Sequence, residues 1–211
     1  MCRRPLLALV FLSVVAPAGA AVEVWRLDPV HTQILFSVDH QGFNQSLGLL
    51  KASTGTLWFD PQDWSTARLE VGIDMNSLLL GDAKWEETVR SWRFLDTARW
   101  PQAHYRSRTV ERQADGRGLI RGELELHGRK QPLDIPFTLN KLANDPYAFR
   151  RTAGFSGGTT FKRSDYGMDK VLSAVGDSVT LRLEAAFVRD RGATDAPPPI
   201  TNKEKTDATE E

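Results

Sequence analysis

The sequence predicts an all-β domain of about eight antiparallel strands, closed as a barrel or packed as a sandwich. One short amphipathic helix lies in the connection between the third and fourth strands. Three observations lead there. Apolar and polar residues alternate over most of the middle of the chain. Turn-forming pairs such as Asp60-Pro61, Asp115-Gly116, His127-Gly128 and Gly176-Asp177 punctuate that alternation. A single stretch changes from period two to the period of a helix.

The strand segments run near 24–40, 47–60, 67–75, 103–111, 117–128, 131–141, 149–163 and 177–188. In the first, LDPVHTQILFSVDH, Ile34, Phe36 and Val38 share a face with His40. His31 falls on the opposite face if that strand is unbroken. In ARLEVGIDM, Leu69, Val71, Ile73 and Met75 oppose Arg68, Glu70 and Asp74. GLIRGELEL sets Ile120, Leu124 and Leu126 against Arg121, Glu123 and Glu125. LDIPFTL gives Leu133, Ile135, Phe137 and Leu139 one face, and SVTLRLEAAFV does so with Val179, Leu181, Leu183 and Phe187. One wet and one apolar face marks antiparallel strands over a core. Gly154, Gly157 and Gly158, inside the seventh segment, read as a bulge or a barrel bend.

The helix is GDAKWEETVRSWRFLD, with Trp85, Val89 and Trp92 on one face and Asp82 as its N-cap. Glu86 and Glu87 stand where the helix dipole favours negative charge. The simpler expectation is that it plugs one barrel end. The functional alternative is a lid over a cavity mouth, with Trp85 or Trp92 facing a ligand.

Residues 1–20 read as a cleaved export signal: Arg3 and Arg4, an apolar run from Leu6 to Val15, then Ala18-Gly19-Ala20. The apolar run is short of the roughly 20 residues a spanning helix needs. Cleavage would remove Cys2, the sole cysteine, leaving a thiol-free domain over 21–189 that is held by its core. Residues 190–211 carry Pro197-Pro198-Pro199 and no apolar period, and read as a disordered tail. Without Arg3 and Arg4 the 27 acidic side chains exceed the basic ones by two. That balance argues against nucleic acid as a partner.

No nucleophile elbow, zinc-protease, phosphate-loop or dinucleotide motif is present. His31, His40, His104 and His127 do not share a phase that would converge on a metal. Neither a metal nor a catalytic cofactor is expected. In FKRSDYG, Arg163 is either one half of a surface pair with Asp165 or part of a basic rim that meets a ligand headgroup.

Five pieces carry a resemblance: LDPVHTQILFSVDHQGF, GLLKASTGTLWFDP, FLDTARWPQAHYRS, GELELHGRKQPLDIPF and GFSGGTTFKRSDYGM. In this order they resemble the YceI-like proteins, a polyisoprenoid-binding, lipocalin-like family, over about 24–188. Asp28, His31 and His40 match its opening motif, with Thr32 where serine is usual. Gly128 matches a later piece, as do Arg163, Asp165 and Gly167. One departure stands out. Where many members carry R-D-x-H-L, this chain reads Trp85-Glu86-Glu87-Thr88-Val89.

The resemblance implies an extended antiparallel eight-stranded lipocalin-like barrel with an apolar cavity. It implies a periplasmic or secreted carrier of a long-chain isoprenoid or related amphiphile, with a quinone among the candidates. Ile34, Phe36, Val38, Leu69, Val71, Ile73, Leu124, Leu126, Ile135, Phe137, Leu181 and Leu183 are the expected cavity lining, some of them filling its narrower end. Trp85, Trp92, His31, His40 and Arg163 are the expected mouth or rim. Two other classes stand against this reading: an enzyme with a histidine base on the same barrel, and a partner-binding barrel with a filled core. Transient contact with a membrane or a membrane redox protein is an expected partnership, and a homodimer is left open.

Overall fold

In the computed structural model, residues 22–147, 149–194 and 196–198 are described. The expected export signal, and residues 195 and 199–211 of the expected tail, lie outside them. The strands are β1 (Glu23–Leu27), β2 (Gln33–His40), β3 (Asn44–Phe59), β4 (Arg68–Leu79), β5 (Gln102–Arg112), β6 (Arg117–Leu126), β7 (Arg129–Asn144), β8 (Arg151–Lys162) and β9 (Val175–Arg189). The helix α1 (Ala83–Arg90) joins β4 to β5.

Every pairing is antiparallel, and β9 returns to pair with β2 and β1, so the sheet closes on itself. β1 and β2 share one place in the barrel. β3 pairs with β2 from Asn44 to Leu50 and with β1 from Thr56 to Phe59. The barrel therefore has eight positions.

The expected first strand, 24–40, is thus two strands, and the cause is local. Pro29 has no N–H to give to a ladder. Asp28 Oδ1 accepts from the Val30 N–H at 2.9 Å, bending the chain away from the sheet. The ladder is resumed by a side chain, since Thr32 Oγ1 accepts from the Ala186 N–H at 3.2 Å. The Gly176-Asp177 pair is no turn either. It lies inside β9, where the Gly176 carbonyl accepts from Arg163 Nε at 2.9 Å.

At the other expected turns the backbone does reverse. Asp115 and Gly116 have φ of 58° and 72°, and His127 and Gly128 have 52° and 72°, the left-handed pair that tight hairpins require. β8 pairs with β9 without interruption from Thr152 to Lys162, so Gly154, Gly157 and Gly158 do not form a bulge against it. Gly158 instead allows close approach: a Cβ there would meet the Leu181 carbonyl oxygen at 2.8 Å.

α1 begins as expected. Asp82 accepts from the Trp85 N–H at 2.8 Å, and Glu86 reaches back to the Leu80 N–H at 2.8 Å. It ends a turn earlier than the sequence pattern suggests. Ser91 Oγ donates to the Thr88 carbonyl at 2.6 Å, and the Leu95 N–H turns back to the Val89 carbonyl at 3.0 Å.

Two cores fill the barrel at different depths. One end is closed by rings: Trp64 stacks on Phe137 with centroids 5.6 Å apart, and Phe59, Phe155, Phe187 and Trp25 surround them edge to face. Trp64 hangs from a short 3-10 turn, Trp64–Thr66, capped by Asp63. That aromatic cluster plugs this end. α1 sits at the opposite end. There an aliphatic cluster including Leu50, Met75, Leu78, Leu124 and Leu133 surrounds open space.

Candidate functional site

Period two sends one face of every strand inward, and above the aromatic plug those inward faces leave a cavity of about 480 Å³. Pockets of a few hundred to about a thousand Å³ take drug-sized ligands. Ile34, Phe36 and Val38 of β2 and Leu69, Val71 and Ile73 of β4 line it. So do Leu124 and Leu126 of β6, Ile135 of β7, and Leu181 and Leu183 of β9.

Phe137 does not reach the cavity. β7 continues past the cavity floor, and Phe137 packs in the plug between Trp64 and Phe155. The alternation gives it the inward face, and it is one of those that fill the narrower end.

The expected rim divides. Trp85 and His40 both line the cavity, their rings 6.1 Å apart. His40 arrives there because β2 ends at the mouth, and Trp85 because α1 lies across it. Trp92 is off the cavity and 60% exposed, because the early end of α1 turns it outward. Its ring is covered instead by the Lys170 ammonium at 3.9 Å.

His31 is also away from the cavity. It stands in the break between β1 and β2, and its Nδ1 lies 2.7 Å from Asp28 Oδ2. Its hydrogen bond to the Asp28 carboxylate, and that group's charge, raise the His31 pKa. Burial pushes the Asp28 carboxyl up, but hydrogen bonds from His31 and from the Val30 and His31 backbone hold it below the usual value. His104 faces out of β5, opposite Glu125, and His127 Nδ1 lies 3.1 Å from the Tyr166 carbonyl. Among the described residues no three of His, Cys, Asp and Glu gather as a metal site.

Arg163 is neither the surface pair nor the exposed rim. It is 4% exposed, and its guanidinium holds a loop together by donating to main-chain carbonyls. Nε donates to Gly176 at 2.9 Å, Nη1 to Lys170 at 2.9 Å and to Met168, and Nη2 to Val175 at 2.7 Å. It also forms part of the cavity wall near the mouth. Burial lowers its pKa, against the partly opposing charges of Asp177 and Asp169.

Sequence reasoning missed several wall residues. Tyr105 alternates correctly on β5, and its hydroxyl donates to the Leu133 carbonyl at 3.0 Å while burial pushes its pKa up. Met75 was placed on the right face of β4 but not named as lining. Arg93, Phe94, Met168 and Val171 come from irregular segments around the mouth, where no period could mark them.

A YceI-like domain model matches residues 25–187. A UPF0312 protein of Shewanella baltica is 31% identical over 191 residues, covering 90% of this chain and all of the relative. Protein YceI of Escherichia coli is 29% identical over 192 residues, with the same coverage. Among solved structures, BcnA of Burkholderia cenocepacia matches with a TM-score of 0.69 at 21% identity, over 76% of this chain and 98% of its own. A polyisoprenoid-binding domain from Saccharophagus degradans, described as implicated in plant cell wall breakdown, matches at 0.60 and 14% identity, over 80% and 99%.

Proposed function

Because the chain belongs to the YceI-like family, we propose that it is a carrier that holds a long-chain isoprenoid or related amphiphilic lipid, such as a quinone, inside the barrel. The observation that carries this reading is the cavity itself: an apolar space of about 480 Å³ with an aromatic floor and a mouth under α1. A filled core has no such space, and this disfavours the partner-binding alternative. An enzyme needs a base beside a nucleophile. His40, the histidine on the cavity wall, has an aromatic neighbour in Trp85, and its ring has no hydrogen-bonded partner among the described residues.

Each methylene moved from water into the barrel gains about 0.8 kcal/mol. A bilayer offers the tail an equally apolar home. The tail therefore gives retention in water, and discrimination falls to cavity length and to the groups at the mouth. Exchange with a bilayer is aided by apolar residues exposed around that mouth: Phe43 in the β2–β3 turn, Trp92, and Val171 with Leu172. Residues 1–20, with the character of an export signal, support a periplasmic site of action.

The test is extraction of the natively purified 21–211 chain with organic solvent, followed by mass spectrometry. A stoichiometric isoprenoid or quinone is expected. An empty extract from folded protein that also refuses added prenyl lipids would overturn the carrier reading.

A further inference from the structure

The outer wall of the barrel has two characters. Across β4 to β7 it is a ladder of ion pairs: Glu70 with Arg106, Glu123 with Arg108, Arg121 with both Glu111 and Asp134, and Glu125 with Lys130. On β2, β3 and the end of β4 it is apolar. Leu49 pairs with Leu35 on one side and with Leu79 on the other, so the three form one cross-strand row. Leu47, two residues along β3, adds a fourth leucine. Their neighbours Ile34, Phe36, Leu50 and Leu80 line the cavity, and period two turns the four leucines outward. Among the described residues, the large apolar side chains left exposed on strands are Leu35 at 38%, Leu47 at 68% and Leu79 at 55%. Single exposed leucines are ordinary, but a cluster on an otherwise charged wall marks a contact surface.

The two ends of this cluster carry opposite charge. Beyond Leu49 on β3 stands Lys51, exposed and in no ion pair among the described residues. Asp74 is opposite it in the ladder, but Asp74 Oδ1 takes the Asn76 N–H at 2.9 Å. Beyond Leu47 stand Gln45 and its cross-strand partner Asp39. Asp39 accepts from the Gly42 N–H at 3.0 Å and from Gln45 Nε2 at 3.4 Å, and it meets no cation among the described residues.

Such a surface complements itself. Turn a second copy about a two-fold axis that lies in the plane of contact and crosses β3 between Leu47 and Leu49. Leu49 then faces Leu47 of the second copy, and Lys51 comes over its Gln45 and Asp39. Sheets packed face to face stand about 10 Å apart with their strands nearly aligned, a gap that opposed leucines fill and a lysine spans. A bilayer would use the leucines but would select neither the register nor the opposite charges at the two ends.

We propose that this flank is the contact between two copies of the chain, packed sheet on sheet with their β3 strands antiparallel. The two barrel mouths then point in opposite directions. The contact goes beyond the carrier reading and does not depend on what the barrel holds. The flank measures roughly 15 Å by 20 Å, or about 300 Å² on each copy. A standard stable interface takes about 800 Å² from each partner, so this dimer belongs to the weak, reversible class.

Sedimentation velocity on the 21–211 chain at low salt, from about 1 µM to about 500 µM, reads the association. A concentration-dependent rise from monomer to dimer is expected. Leu47→Lys and Leu79→Lys, both at exposed positions, are expected to stay monomeric with melting midpoints within about 2 °C of the parent. Leu172→Lys, which alters an exposed leucine off this flank, is expected to dimerise as the parent does. Lys51→Glu sets like charges together at both symmetry-related ends and is expected to weaken the dimer about tenfold. A parent that stays monomeric over the whole range overturns the proposal, and so does a dimer that survives both leucine variants. An unchanged dissociation constant in Lys51→Glu overturns the antiparallel register. A monomeric parent that floats with phosphatidylethanolamine–phosphatidylglycerol vesicles, and loses this in Leu47→Lys, would assign the flank to a bilayer instead. An empty lipid extract leaves the association untouched, so the two readings fail separately.

Discussion

Trp64→Ala separates the plug from the cavity. Trp64 is 3% exposed, stacks on Phe137 at 5.6 Å, meets Phe59 at 5.9 Å, and donates through Nε1 to the Pro61 carbonyl at 3.2 Å. Removing a buried tryptophan costs about 3–5 kcal/mol, through lost transfer energy and the void left behind. The loss of ring contacts with Phe137 and Phe59 places Trp64 at the upper part of that range. In a domain of this length each kcal/mol moves the midpoint by roughly 2–4 °C. The expected fall is thus about 8–20 °C, read by near-ultraviolet circular dichroism on heating. Trp92→Ala, which removes an exposed ring, is the control and should stay within about 0.5 kcal/mol. A Trp64→Ala midpoint within about 2 °C of the parent would refute the reasoning, because the rings would then not be the closure of that end.

Two further outcomes are expected. Phe36→Asp places a carboxylate on the apolar wall of β2, paired with Gly48 on one side and Leu181 on the other. Lipid retention, measured by extraction, should be lost together with several kcal/mol of stability; a folded variant that still carries lipid would show that β2 presents its other face inward. The His31–Asp28 pair gives a sign for pH. The His31 pKa is raised in the folded protein, so its contribution is complete below its unfolded value and disappears as pH rises through the folded one. The Asp28 pKa is lowered, so its contribution is present above its unfolded value and fades as pH falls through the folded one. NMR titration should place His31 above about 6.5, and Asp28→Asn should bring it back. An unmoved His31 titration in that variant would dissociate the two.

The sequence made faces legible, and depth less so. Alternation in ARLEVGIDM and GLIRGELEL put Leu69, Val71, Ile73, Leu124 and Leu126 on the inner surface, where they are. Period two says nothing about how far along the barrel a residue sits, so it does not tell that Phe137 is among those filling the narrower end while Ile135, two residues before it, lines the cavity. The break at Asp28-Pro29 was written in the proline, yet apolar residues on either side let one strand be drawn through it. Trp64 followed a turn signal and so looked like loop, because a 3-10 turn of three residues has no period to show. Arg163 was the least legible. Its acceptors are carbonyls of residues 168–176, and main-chain oxygens leave no trace in side-chain chemistry.

The closing seam of the barrel has a consequence in time. It sets Trp25 opposite Arg189, joining the first strand to the last. Until β9 exists, the sheet is an open ribbon with two bare edges, β8 on one side and β1 with β2 on the other, each a template for pairing with another chain. Contacts so distant along the chain form slowly. A nascent chain exposes both edges until its last strand has emerged, and no shortened form lacking β9 could hold a sealed interior. The closed interior is thus a property of the finished molecule, completed by its last strand.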